Sequence, residues 1–176
     1  MQRDLTHGPI GRSIVLFALP MIAGNLLQQL YNIADTLIVG RVLGSGALAA
    51  VGSAYTLMTF LTSIFLGLSM GAGALYSICL GQGDARRLRL GVLHGAALIF
   101  AATLAVNLLV YLGLDGILWF LRVPEDVLPG MRAYLLVIFG GILATSIYNF
   151  CACLLRAVGN SVVPLIFLAV SAVGNI

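Results

Sequence analysis

The stretch SIVLFALPMIAGNLLQQLYNIADTLIVG, Ser13 to Gly40, decides the fold. It carries no charge from residue 13 to residue 34. As a helix rising about 1.5 Å per residue, that run covers roughly 33 Å, enough to cross the ~30 Å hydrocarbon slab of a bilayer. A transmembrane β-strand would alternate polar and apolar residues over about ten positions, and this stretch does not. What interrupts its apolar character is a set of amides: Asn25, Gln28, Gln29 and Asn32, followed by Asp35, at spacings of three or four. At 100° per residue these five occupy an arc of about 120° on one helix face. A face turned to lipid has nothing to offer amide groups, so the stripe is expected to line a cavity or the interior of a helix bundle.

The rest of the chain repeats the pattern. Of 176 residues, 61% are hydrophobic and only 9% charged, and the mean hydropathy is +1.09; a soluble domain carries about 25% charged residues. Further charge-free runs lie at 42–83, 90–114, 133–155 and 157–176. The expected fold is all-α: a polytopic membrane helix bundle with full transmembrane helices at about 13–40, 47–80, 91–114 and 131–155, and a fifth span from 161 that is cut off at 176. The second span is long enough to be two short ones, and the arginines decide against that. With a single helix, Arg3, Arg12, Arg86, Arg87, Arg89 and Arg156 share one side, opposite Arg41, Arg122 and Arg132. Arginine-rich loops stay cytoplasmic. The expectation is therefore a multi-pass protein of the plasma (inner) membrane with a cytoplasmic N-terminus and 81–90 loop. The segment 115–130 is then external, with Trp119 and Phe120 in the interfacial aromatic belt and Pro124 and Pro129 marking turns.

Composition also excludes function classes. The net charge is +3, yet there is no lysine and the nine arginines separate hydrophobic runs, so the basic balance reads as an orientation signal and not as a nucleic-acid surface. A phosphate-binding loop of the Walker type needs a Gly-Lys-Ser/Thr step, which a lysine-free chain cannot contain. Cys79, Cys151 and Cys153 fall in hydrophobic runs and form no disulfide framework; Cys151 and Cys153 diverge by about 200° on a helix and cannot share a metal. No cleavable signal peptide is evident. No cofactor is expected beyond a coupling ion, H⁺ or Na⁺. Small-residue pairs at spacing four, Gly67 with Gly71, Gly91 with Gly95 and Gly40 with Gly44, read as helix packing.

Asp35 is the residue with chemistry. It lies ~9 Å inside the external end of its span, and its side chain is too short to snorkel. An ionised Asp within the membrane costs about 3 kcal/mol on insertion scales, so this one is stable only with a partner: a proton exchanged between the two faces, a small cation, or Arg41. Span four offers Tyr134, Thr145, Tyr148 and Asn149 within about 100° of one another, either to supply oxygens beside Asp35 or to bond neighbouring helices. Thr103, Asn107 and Tyr111 form a weaker stripe that reads as packing. His94 reads as interfacial. Gly81-Gln82-Gly83-Asp84 and Arg156-Ala157-Val158-Gly159-Asn160 read as cytoplasmic turns.

Those residues carry a resemblance. Tyr31-Asn32-Ile33-Ala34-Asp35-Thr36-Leu37-Ile38-Val39-Gly40-Arg41, followed by Ala47-Leu48-Ala49-Ala50-Val51-Gly52, resembles the first helix and second-helix start of the multidrug and toxic compound extrusion (MATE) family. Gly81-Gln82-Gly83-Asp84 resembles its second cytoplasmic loop, and Leu155-Arg156-Ala157-Val158-Gly159-Asn160-Ser161 with Pro164 its fourth-to-fifth helix turn. The resemblance implies twelve helices in two six-helix lobes, working as a cation-coupled antiporter that expels amphipathic organic cations. Residues 1–176 would form part of the N-terminal lobe, with a missing C-terminal lobe and the lipid bilayer as partners. Position by position, Asp35 matches the first-helix coupling aspartate, Tyr134 and Asn149 match polar residues of the fourth helix, and Asn175 an asparagine of the fifth. Asp35, Asn149 and Asn175 are then the candidate Na⁺ ligands, and Asn25, Gln28, Gln29 and Asn32 the cavity lining. The family's second acidic residue falls about one turn past Asn175, so these 176 residues are expected to be inactive alone. A lipid-linked sugar or lipid flippase of similar architecture is the rival reading and predicts a cationic cavity; a membrane enzyme or signalling module needs a nucleophile or metal cluster that the sequence lacks.

Overall fold

A computed structural model describes residues 9–42, 44–120, 123–125 and 127–175, with the side chains at 35, 39, 45–47, 49, 50, 53 and 175 outside that description. Five helices follow one another: α1 (Ile10–Val42), α2 (Gly44–Gly81), α3 (Ala85–Phe120), α4 (Leu128–Ala157) and α5 (Val162–Asn175). Four of them hold windows long and apolar enough to cross a membrane, and α5 is a shorter apolar helix. The second apolar run is one unbroken helix of 38 residues, about 57 Å long.

Two turns are built alike. After α2, Gly83 takes φ +70°, donating its N–H to Leu80 O, while Asp84 N–H reaches back to Cys79 O at 3.1 Å. After α4, Gly159 takes φ +83° and Asn160 N–H reaches Leu155 O at 2.9 Å. Only glycine enters that left-handed region cheaply, and the paired backbone bonds satisfy carbonyls that a helix end leaves open. The next residue then caps the following helix: Asp84 Oδ1 accepts Arg87 N–H at 2.8 Å, and Asn160 Oδ1 accepts the N–H groups of Val162 and Val163. Arg86, Arg87 and Arg89, expected in a loop, lie in the first turns of α3, because this compact turn lets the helix restart at Ala85. The expected external segment begins later too, since α3 stays helical through Phe120.

The core is a three-helix hub. Leu61 and Phe65 of α2, Val110, Leu114 and Leu118 of α3, and Met131, Leu135, Phe139 and Ile142 of α4 pack as one buried cluster. Polar groups fasten α3 to α4 over four successive turns. Thr103 and Ser146 share a hydroxyl hydrogen bond at 2.7 Å, Asn107 Nδ2 donates to Phe139 O at 3.1 Å, Tyr111 Oη donates to Leu136 O at 3.2 Å, and Arg132 pairs with Asp115 at 3.3 Å. In hydrocarbon such contacts hold helices together where the hydrophobic effect between them is weak. The stripe on span three is therefore packing, as its spacing suggested.

The small-residue reading holds only in part. Added Cβ atoms at Gly67 or Gly71 would meet nothing, so that pair marks no contact. The close approaches include Gly73, beneath the backbone of Cys153, Gly24, against Leu165 and Leu168, Gly91 and Gly95, against Tyr76, and Gly40, against Leu48 of α2, whereas its partner Gly44 stands open at φ +84°. Large apolar side chains such as Leu30, Leu112, Trp119, Val137 and Phe167 point outward, the inverted arrangement that a lipid surrounding permits.

Candidate functional site: a polar groove along the first helix

The arrangement of helices leaves room on one side of α1. This helix packs on α5 and on α2, while α4 packs on α2, α3 and α5; among the described residues α1 and α4 make no close backbone contact. The space between them is where the amide stripe faces. A cleft of about 510 Å³ is lined by Asn25 and Gln28 of α1, Thr59, Thr62 and Ser63 of α2, Thr145, Tyr148, Asn149 and Arg156 of α4, and Ser161 and Pro164 at the start of α5. Gln28 is shared with a neighbouring cleft of about 380 Å³, which adds Gln29, Asn32, Tyr55 and Tyr134. Gln29, Asn32, Tyr55 and Tyr134 in turn border a third, of about 480 Å³, with Thr36. The four amides thus line one continuous series of clefts along α1.

Local bonds explain how these side chains are held. Asn32 Nδ2 donates to Gln29 Oε1 at 3.2 Å along the same helix face. Asn149 Nδ2 donates to Thr145 O at 3.0 Å, one turn back on α4. Tyr148 Oη donates to Pro164 O at 3.2 Å and ties α4 to α5. Thr62 and Ser63 donate to the carbonyls of Met58 and Phe60 on their own helix, the usual way a hydroxyl is satisfied in an apolar helix.

Of the residues singled out by sequence, Asn25, Gln28, Gln29, Asn32, Tyr134, Thr145, Tyr148 and Asn149 are brought to this groove. Asp35 and Asn175 lie on the backbone of α1 and α5, but their side chains are outside the described residues. Asp35 follows Tyr31 and Asn32 by one turn, and both of these border the groove. His94 is held on its own helix, with Nδ1 at 2.7 Å from Leu90 O, and takes no part in the groove. Among the described residues no group of three His, Cys, Asp or Glu side chains is placed to hold a metal ion; what the groove offers is amide and hydroxyl oxygen.

Two contributions escaped the sequence reading. The α2 side chains Tyr55, Thr59, Thr62 and Ser63 recur at helical spacing, a signal as regular as the one on α1 but made of hydroxyls, which helices tolerate on any face. Arg156 reads locally as part of a turn, yet its side chain lines the cleft, because the turn at Gly159 folds α5 back beside α4.

Comparison with known proteins agrees with this geometry. The MatE family model matches residues 20–176. The chain is 31% identical over 172 residues to a probable multidrug resistance protein, YpnP, of Bacillus subtilis (strain 168), covering 98% of this chain and 39% of that protein. It is 26% identical over 141 residues to an FAD transporter of Shewanella oneidensis, covering 80% of this chain and 31% of that one. A crystal structure of MATE in the bent conformation superimposes with a TM-score of 0.85 at 21% identity, covering 94% of this chain and 37% of that chain, a likeness of fold. The chain thus spans less than two fifths of the length of the relatives it matches. With a matching family model over most of its length, motifs at the expected helices and a shared fold, the chain belongs to the MatE family, that of multidrug and toxic compound extrusion.

Proposed function

We propose that this chain forms part of the N-terminal lobe of a secondary multidrug exporter, in which a second lobe completes the translocation path. The protein is not an enzyme; it exports amphipathic organic cations by antiport against H⁺ or Na⁺, at the plasma membrane with a cytoplasmic N-terminus. The observation that carries the reading is the amide and hydroxyl groove between α1 and α4, which no lipid-facing helix pair would need. Protonation or Na⁺ occupancy at Asp35, with Tyr134, Asn149 and Asn175 as oxygen donors along the coupling path, would bias the lobe between two packings. Substrate and coupling ion would then favour different states, the reciprocity that antiport requires.

The test uses the full-length protein in vesicles, with drug efflux driven by separate proton and sodium gradients. Wild type responds to one of the two gradients, and Asp35→Asn responds to neither. Equal coupling in the two proteins would refute the role given to Asp35. A second reading, movement of a phosphate-bearing lipid or solute, has one observation in its favour: an arginine on the groove wall.

A further inference from the structure

We infer that the inner end of the groove is a binding site for a phosphate group, with the Arg156 guanidinium as its anchor. The inference stands apart from drug export and does not require it. Arg156 sits in the last turn of α4 and lines the cleft together with Ser63, Tyr148 and Ser161. Its Nε is buried and has no hydrogen-bond partner among the described residues. Among the described residues no Asp or Glu lines the cleft, and the ion pair that they do form, Asp115 with Arg132, joins α3 to the opposite end of α4.

An always-charged guanidinium with a desolvated, unpartnered N–H is a costly feature, and the cost is relieved by an anion that accepts from it. None of the neighbouring acceptors among the described residues bonds it. Asn160 Oδ1 already accepts the N–H groups of Val162 and Val163, and the Tyr148 and Asn149 side chains, which donate to Pro164 O and Thr145 O, make no bond to Nε. The Ser161 hydroxyl, on the same cleft wall, remains as a secondary donor to an oxyanion. Phosphate suits the planar fork of an arginine better than it suits a point charge. The depth fits as well: by arginine asymmetry this end of α4 is cytoplasmic, at the level where anionic headgroups collect.

The shared chemistry is a phosphate oxyanion, from a lipid headgroup or from a soluble phosphate. The test titrates the full-length protein, purified in an uncharged detergent, with short-chain phosphatidylglycerol and separately with inorganic phosphate, following binding by calorimetry. Wild type binds one of the probes, and Arg156→Gln binds it about tenfold or more weakly, the scale of a lost charge-assisted hydrogen bond. Arg87→Gln, an exposed arginine of α3, binds as wild type does. Binding of the lipid alone assigns the headgroup, and displacement of the lipid by inorganic phosphate assigns the soluble ion. Should Arg156→Gln fail to fold, Arg156→Met keeps the aliphatic stem and is judged by the same criterion. Wild type that binds neither probe, or a variant that binds as wild type does, overturns the inference and gives Arg156 a partner elsewhere in the chain.

Discussion

Two glycines of α3, four residues apart, should respond in opposite ways to the same substitution. Tyr76 of α2 is 1% exposed, its ring meets Phe150 edge-on at a centroid distance of 6.4 Å, and its hydroxyl donates to Gly91 O at 3.3 Å. A Cβ added at Gly91 would lie 3.6 Å from the nearest ring carbon, an ordinary contact, whereas one added at Gly95 would overlap the tyrosine hydroxyl and come within 3.2 Å of Cζ. Gly91→Ala therefore gains up to about 1 kcal/mol of helix propensity. Gly95→Ala gains the same but must displace a hydroxyl whose ring is held by Phe150; overpacking of this kind costs about 1–3 kcal/mol, for a net loss of up to about 2 kcal/mol once the propensity gain is subtracted. Tyr76→Phe alone gives up one hydrogen bond, about 1 kcal/mol, but in that background most of the clash is gone and Gly95→Ala should be nearly neutral. The coupling between the two sites is then up to about 2 kcal/mol. The assay is denaturant unfolding of the four proteins of the cycle, full length and in mixed micelles, with Gly91→Ala alongside. A Gly95→Ala as stable as Gly91→Ala, or a cycle additive to within about 0.3 kcal/mol, would refute the steric argument.

Two further outcomes follow from the α3–α4 contacts. Thr103→Val breaks a buried hydroxyl pair and should cost about 0.6 kcal/mol, the average for such bonds between membrane helices, and no more than about 1.7 kcal/mol; adding Ser146→Ala should recover part of it, and a double variant worse than the sum of the singles would contradict the pairing. Arg132→Gln removes an ion pair whose partners are 52% and 74% exposed, so the loss should stay below about 1 kcal/mol and vanish in high salt; a large loss that salt does not touch would show the pair is buried in the assembled protein.

The apolar helices and the amide stripe were legible locally for a physical reason. Hydrocarbon admits neither charge nor unpaired backbone, so the intervals between arginines and acids set out the apolar helices, and a 3.6-residue period put Asn25, Gln28, Gln29 and Asn32 on one face before any partner was known. The two glycine turns were equally legible, since a glycine at positive φ followed by an Asx cap is a short-range device. Tertiary structure alone decided which glycine is a contact and which is open: Gly67 and Gly71 have the same spacing as Gly91 and Gly95, and only the side chain on the neighbouring helix, Tyr76, tells them apart. The same holds for the hydroxyls of Thr59 and Thr62 and for Arg156. A hydroxyl can be satisfied by its own helix and an arginine at a helix end can reach either solvent or interior, so their place on the groove wall depends on how α2, α4 and α5 pack around α1, a property of pairs of helices and not of any one segment.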